Sequence, residues 1–318
     1  MIYVLGSINY DISLELEKMP KKGETVLAES CYSGLGGKGA NQAVAIARLA
    51  RKYEDGRKSV KMIGHVGSDP LGTELIDKLN GYNVDTEFVR RVNRGTGLAV
   101  VSLTGKDNRI ATYSGANLGF TKSDVDEALE HATSADTLLC QLEVPLYIVA
   151  YALRKARSIG MTTILNPAPA KELPDDFYYS VDIIVPNETE TQTLTGVNIN
   201  PRDEASLLEA VSFFLNRGVK CVAITLGEHG SVISDGDKVE CKIPALKTAA
   251  IDTTGAGDTF VGALALTYPH VGMYSFKEAC LFATRAASIT VSRRGASSSI
   301  PTFEEVCELY SSAIKKQI

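Results

Sequence analysis

The 318-residue chain has no C-x-x-C pair, and its six cysteines (Cys31, Cys140, Cys221, Cys241, Cys280 and Cys307) lie far apart. Its four histidines, His65, His131, His229 and His270, are equally dispersed. That scatter argues against a zinc-type site and reads as reduced thiols of a cytosolic protein. No apolar run approaches the roughly 20 residues a membrane span needs. No basic region precedes the first strand pattern, Ile2 to Gly6, and Asp11 interrupts it too early for a signal peptide. A long Lys/Arg block is missing as well, and the net charge is −5, which argues against nucleic acid or an anionic membrane as main partner. Internal repeats, low-complexity tracts and long linkers are absent. What remains is ordinary for a soluble globular chain, 44% hydrophobic and 22% charged. The expectation is one cytoplasmic domain over residues 1–318 that buries its core without staples.

The chain opens with a strand, followed by a period-two pattern at Ile12, Leu14 and Leu16, a turn at Met19–Glu24 and a returning strand over 25–32. Further short strands are expected near 87–91, 98–103 and 109–113. The segments at about 12–32 and 97–113 would form a small β-strand lid. Ser33 to Gly39 reads as a glycine-rich loop ahead of a helix of very small residues, Ala40 to Ala50. Charged residues 51–58 read as a solvated loop. Strand 60–66 and helix 71–79 come next. Helices are expected at 122–131, 145–158, 188–195, 203–216, 256–267, 275–291 and 302–315. They alternate with strands at 137–142, 161–165, 181–185 and 220–225, and a hairpin lies near 230–243. This rhythm predicts an α/β fold: a mostly parallel central sheet with helices on both faces.

The most informative stretch is Ile251 to Phe260, which turns on Gly255 and Gly257 and runs into an apolar helix. Glycines let the backbone approach a ligand closely, and a helix N-terminus offers unpaired N–H groups and a positive dipole end. Together they make a phosphate site. Asp258 beside that site has two readings: a base that accepts a hydroxyl proton, or a cap on its own helix. No Lys-Ser/Thr pair follows the glycines, so this is not the usual P-loop, and no G-x-G-x-x-G follows the first strand. A dinucleotide-dependent oxidoreductase is thereby disfavoured. Other polar residues fall where strands should end, the ligand edge of an open α/β sheet. They are Asn9 and Asp11, Glu143, Asn187 and Glu190, and Thr225 to Gly227. Asn187 with Glu190 is also a capping box by spacing.

Gly36 to Ala43 together with Asp252 to Phe260 resembles the two signatures of the ribokinase branch of the PfkB carbohydrate kinases. The resemblance runs along nearly the whole chain, through Gly6–Asp11, Gly115–Asn117, Gln141–Glu143, Asn166–Ala170, Pro186–Glu190, Thr225–Gly227 and Gly295-Ala296. It implies ATP-dependent phosphorylation of the 5-hydroxyl of D-ribose. By motif match, Asp258 is the base and Gly255, Ala256 and Gly257 cradle the transferring phosphoryl. Asn9 and Asp11 would hold ring hydroxyls, with Gly37, Lys38, Asn41 and Glu143 completing the pocket. Thr225, Gly227 and Thr284 would touch the nucleotide. Asn187 and Glu190 would organise Mg²⁺ through its water shell. A monovalent cation, K⁺, would sit at Asp252, Thr254, Thr290, Arg293, Gly295 and Ser299. The resemblance also implies a homodimer through the lid strands. Two alternatives stay open: a kinase of a related sugar such as 2-deoxyribose, and a silent homologue that binds sugar or nucleotide without catalysis.

Overall fold

The computed structural model describes residues 1–50, 59–105, 107–236, 239–271 and 274–314. The charged stretch 51–58 lies outside the described residues. Among the described residues, thirteen strands form two sheets. They are β1 Ile2–Leu5, β2 Asn9–Leu16, β3 Ala28–Gly36, β4 Val60–Gly67, β5 Val89–Val92, β6 Gly97–Thr104, β7 Asp107–Tyr113, β8 Thr137–Cys140, β9 Thr162–Leu165, β10 Ile183–Ile184, β11 Cys221–Thr225, β12 Ser231–Ser234 and β13 Val239–Ile243. The helices are α1 Lys38–Leu49, α2 Pro70–Gly81, α3 Lys122–Ala128, α4 Leu146–Ile159, α5 Asp175–Tyr178, α6 Glu188–Thr195, α7 Glu204–Leu215, α8 Ala256–Val271, α9 Phe276–Thr290 and α10 Phe303–Ile314.

The nine-stranded sheet runs β13-β12-β11-β10-β9-β8-β1-β4-β5. From β5 to β11 every pairing is parallel, and only the β11–β12–β13 edge is antiparallel. The central strands are apolar on both faces because helices cover both. Along β1, Ile2 and Val4 enter one core with α1, α2, α8, α9 and α10, while Tyr3 and Leu5 enter the other with α3, α4, α5 and α7. The α1–α8 contact is close. A Cβ on Gly262 would fall 2.6 Å from the Ala45 Cβ and 2.9 Å from the Gln42 carbonyl oxygen. Among the described residues, no helix is long and apolar enough to cross a membrane.

The smaller sheet runs β3-β2-β6-β7. Its strands depart from the sequence expectation in an instructive way. β2 starts at Asn9 and not at Ile12, and β3 continues through Ser33-Gly34-Leu35 to Gly36, the stretch expected to be loop. Asn9 pairs with Gly36 and Asp11 with Gly34. A glycine within a strand marks a close approach, and here the Asp11 carboxylate fills the place of a Gly36 side chain. A Cβ there would lie 1.9 Å from Asp11 Oδ2. The turn is left to Gly37 alone, at φ 86°, and α1 begins at Lys38. Strand 87–91 joins the edge of the large sheet as β5, and β10 is only two residues long. Helix 122–131 stops at Ala128, whereas the helix expected over 256–267 continues to Val271.

Candidate active site

Residues from both sheets meet where α1 and α8 begin. Helix α1 has no side-chain cap of its own, so its first N–H groups need partners from elsewhere. Glu143, after β8, supplies one: its Oε2 accepts from the Lys38 N–H at 3.0 Å and from the Ser7 hydroxyl. Ser7 serves the next two, its carbonyl oxygen accepting from the Ala40 N–H at 2.9 Å and its hydroxyl from Gly39 at 3.4 Å. A carboxylate at a helix N-terminus also suits the dipole. Glu143 thus anchors the start of the helix.

Helix α8 begins differently. Gly255 turns the chain at φ 78°, and its missing side chain leaves room for Ala296, whose Cα would be 3.1 Å from a Cβ there. Around Gly257, by contrast, a Cβ would meet nothing within 4 Å. The space beside Gly257 is thus open, while the Ala256 N–H donates to the Thr253 carbonyl at 3.3 Å. Asp258 does not cap its own helix. Its Oδ2 accepts from Asn41 Nδ2 and its Oδ1 from Gln42 Nε2, each at 3.0 Å, across the α1–α8 seam.

Four carboxylates, Asp11, Glu143, Glu190 and Asp258, surround the single ammonium of Lys38 or couple to one another. Burial pushes the Asp258 carboxyl up, with Glu143 adding to the push, while Lys38, Gln42 and Asn41 hold it down; the balance lies above the usual range. Burial also raises Glu190, against the Asn187 N–H and Lys38. Burial would lower Lys38, but Asp258, Glu143 and Glu190 outweigh it and keep the ammonium charged. Asp11 is pushed to about 7 by burial, then by the charges of Glu143 and Asp258. Its Oδ1 and the Oδ1 of Asn41 are buried acceptors that no donor in the described chain satisfies.

Asn9 presents the opposite polarity. The Ile8 N–H donates to Asn117 Oδ1 at 2.9 Å, which fixes Asn117 Nδ2 as a donor, and Nδ2 donates to Asn9 Oδ1 at 2.7 Å. Asn9 is left with its Nδ2 donor for a ligand. Asn187 and Glu190 form the full capping box of α6, with Glu190 Oε2 and Oε1 accepting from Asn187 N and Nδ2 at 2.8 and 3.0 Å. Asn187 is bridged to Thr225 at the end of β11, and Gly227 follows at an exposed turn with φ 52°. Thr284 lies on α9 and donates to the Cys280 carbonyl at 2.8 Å; no hydrogen bond ties it to Thr225 or Gly227.

A second cluster lies just ahead of α8. Asp252 accepts from the N–H groups of Thr254 and Gly295, both at 2.9 Å. Burial raises this carboxyl, but those bonds and Arg294 hold it below the usual range. Thr290 bonds Thr259 at 2.9 Å, and Ser299 donates to the Ala296 carbonyl at 2.7 Å. The Arg293 guanidinium is drawn to Glu305 at 2.7 Å, so only its main chain faces this loop.

Sequence reasoning attached no role to Ser7, Gln42, Asn117, Gln141 or Asn166, all buried. The available signal was polarity out of place. Gln42 shares a helical stripe with Ala45 and Ile46, which pack on α8.

A glycine turn with open space beside it, a buried carboxylate bound by two amides and two buried acceptors without donors thus meet at the starts of two helices on an α/β scaffold. The chain matches the pfkB family carbohydrate kinase profile over residues 1–303 and belongs to that family. It is 37% identical over 308 residues to the ribokinase of Staphylococcus aureus, covering 96% of this chain and 98% of that one. The deoxyribokinase of Salmonella typhi is 35% identical over 315 residues, 98% of each chain. The structure of Arabidopsis thaliana ribokinase complexed with ribose and ATP matches with a TM-score of 0.86 at 33% identity, over 97% of each chain.

The Asp11 environment predicts a pH signature in the ligand-free protein. With its carboxyl at about 7 when folded and near 3.9 when unfolded, the folded chain keeps a proton that the unfolded chain has lost. Stability therefore falls as pH rises from about 4 to 7 and levels off above. Asp11→Asn removes that loss, so its urea midpoint gains on wild type through this window. A pH-independent difference between the two would contradict the assignment.

Proposed function

We propose that the chain transfers the γ-phosphoryl of ATP to the 5-hydroxyl of D-ribose, giving D-ribose 5-phosphate and ADP. The observation that carries this reading is the pair of donor-less buried acceptors, Asp11 Oδ1 and Asn41 Oδ1, beside the carboxylate of Asp258. Acceptors of this kind call for a ligand rich in hydroxyl donors. Asp11 and Asn9 hold ring hydroxyls, one accepting and the other donating, and Gly37, Lys38, Asn41 and Glu143 complete the pocket. The hydroxyl oxygen attacks the γ-phosphorus in line as the bond to the β–γ bridging oxygen breaks. Its proton passes to Asp258, and ADP leaves with the bonding electron pair. N–H groups at Gly255, Ala256 and Gly257 stabilise charge on the transferring phosphoryl.

Thr225, Gly227, Asn187, Gly257 and Thr284 line the nucleotide side in this reading. Both Glu190 oxygens already bond Asn187, and their remaining lone pairs suit water better than a bare ion. That fits Mg²⁺, which keeps much of its water shell, held through water by Asn187 and Glu190 and neutralising phosphate charge when bound. The Asp252 loop offers oxygen donors only: the Asp252 carboxylate, the main-chain carbonyls of Thr254, Thr290, Arg293 and Gly295, and Ser299. Such a set fits K⁺, which would add positive charge to the loop that leads into α8.

The small sheet acts as a lid that closes over the sugar and excludes water. Its register puts Tyr32 and Ile110 on the face that carries Asp11, and they are 55% and 60% exposed. Its edge strands β3 and β7 are open to a second copy, so a cytoplasmic homodimer through the lids is part of the proposal. Sedimentation is expected to show a dimer at working concentration; monomer alone would remove this part.

The deoxyribokinase relative keeps 2-deoxyribose in view as acceptor. ADP release with MgATP and KCl is the test, across ribose, 2-deoxyribose, fructose, fructose 1-phosphate and adenosine. Ribose-selective turnover that drops in potassium-free buffer is expected. Preference for 2-deoxyribose would correct the sugar, and ATP binding without turnover on any acceptor would favour a silent homologue.

A further inference from the structure

Behind Asp258 lies a chain of buried amides that the reaction above does not use. Gln42 Nε2 donates to Asp258 Oδ1 and to Asn166 Oδ1, both at 3.0 Å. Asn166 Nδ2 donates to the Val185 carbonyl at 2.8 Å, and Gln141 Nε2 donates to Gln42 Oε1 at 2.6 Å. Gln42 and Gln141 are completely buried and Asn166 is nearly so. The direction of every bond follows from one backbone group. A carbonyl can only accept, so Asn166 must turn its nitrogen to Val185 and its oxygen to Gln42. Gln42 must then turn its nitrogen toward both Asn166 and Asp258, and Gln141 donates to the oxygen left over. The Gln42 side chain cannot flip without breaking three bonds at once, while Gln141 Oε1 is left as a buried acceptor with no partner.

We propose that Gln42 is a positioning residue for the Asp258 base. Polarised by Val185 through Asn166 and backed by Gln141, it fixes the rotation of the carboxylate and favours its ionised form. The inference rests on the reading of Asp258 as base given above. Two amide donors bind the carboxylate, and they differ in kind. Asn41 faces the sugar pocket with its own Oδ1 unpartnered, so ligand binding can reorient it. Gln42 is held from behind by partners that ligand does not touch, and its hold is constant through turnover. A simple core-filling role would need neither the uniform direction of the chain nor a terminus on the reacting carboxylate. The charges facing Asp258 are Lys38 from α1, Asp11 from β2, Glu143 after β8 and Glu190 from α6. None of them belongs to the amide chain, so altering the chain leaves the surrounding charge in place.

The test is the pH dependence of kcat and kcat/KM for the full-length protein with ribose and MgATP. Gln42→Met keeps the volume and removes both donors. The acid limb is expected to move up by about one pH unit, with kcat at its plateau reduced roughly 10- to 100-fold through lost alignment. The KM for ATP stays within twofold. Gln42→Glu keeps the shape but sets a second carboxyl against Asp258, and the acid limb moves further in the same direction. Gln141→Met, which removes the donor to Gln42 and leaves the bonds to Asp258 in place, gives a smaller shift of the same sign and covers the case in which a change at Gln42 prevents folding. An acid limb and plateau kcat that match wild type in a folded variant, with only the melting temperature lowered, would overturn the proposal. Asp258→Asn run alongside separates the two levels: wild-type turnover there removes the base itself, whereas loss there with no effect at Gln42 removes only its positioning.

Discussion

Offsetting the burial of one carboxylate is the constraint on which the site depends. Asp258 is shielded from water, and burial is the largest influence on its proton. Burial alone favours the neutral acid, and the protein offers compensation. The compensation comes from one helix, α1, which brings the Lys38 ammonium and the amides of Asn41 and Gln42 to the same side. That requires α1 and α8 to lie close together. Gly262 makes the approach feasible, since any side chain there would meet Ala45 and the Gln42 carbonyl. Glu143 and Ser7 then secure the start of α1. A packing glycine, a tertiary helix cap and an amide pair act toward one electrostatic end.

Around that carboxylate the side chains alternate polarity with little redundancy. Asp11 and Asn41 present acceptors, Asn9 presents a donor, and each orientation traces back to a backbone group or a neighbour that admits no choice. Asn117 is the junction on the lid side. It bonds both the N–H and the C=O of Ile8, at 2.9 and 3.3 Å, much as a paired strand would, and holds Asn9 as well. A Cβ on Gly97 would strike Asn9 Oδ1 at 2.3 Å and Asn117 Nδ2 at 2.4 Å. The roots of β2 and β6 and the segment after β7 are therefore gathered at one asparagine. The placement of the small sheet and the orientation of Asn9 share the same few bonds.

Much of this was legible in the sequence, and the parts that were not have physical reasons. The alternation of strands and helices reported the parallel sheet, because each βαβ unit is a local pattern. The two glycine motifs marked the starts of α1 and α8. Asn187 and Glu190 are a capping box in fact as in spacing, since three residues of helix decide that contact. Contacts across the fold were hidden. Asp258 reads equally well as a cap until α1 is placed beside it, and nothing local says that Glu143 caps a helix 105 residues earlier. The extension of β3 through Gly34 and Gly36 was hidden for a similar reason. Glycines read as loop unless the carboxylate that fills their side-chain space is known. Gln42 was quoted within a motif yet carried no role, because its partners Gln141 and Asn166 come from two other strand ends.

The measurement that bears most directly on the account is the turnover of Asp258→Asn with ribose, beside its affinity for ATP. The amide keeps the size and can still bond its neighbours, but it cannot take the proton. The account predicts kcat lower by about 10²–10⁴, the range for loss of a general base, with nucleotide affinity essentially unchanged. A variant that turns over at the wild-type rate would contradict it.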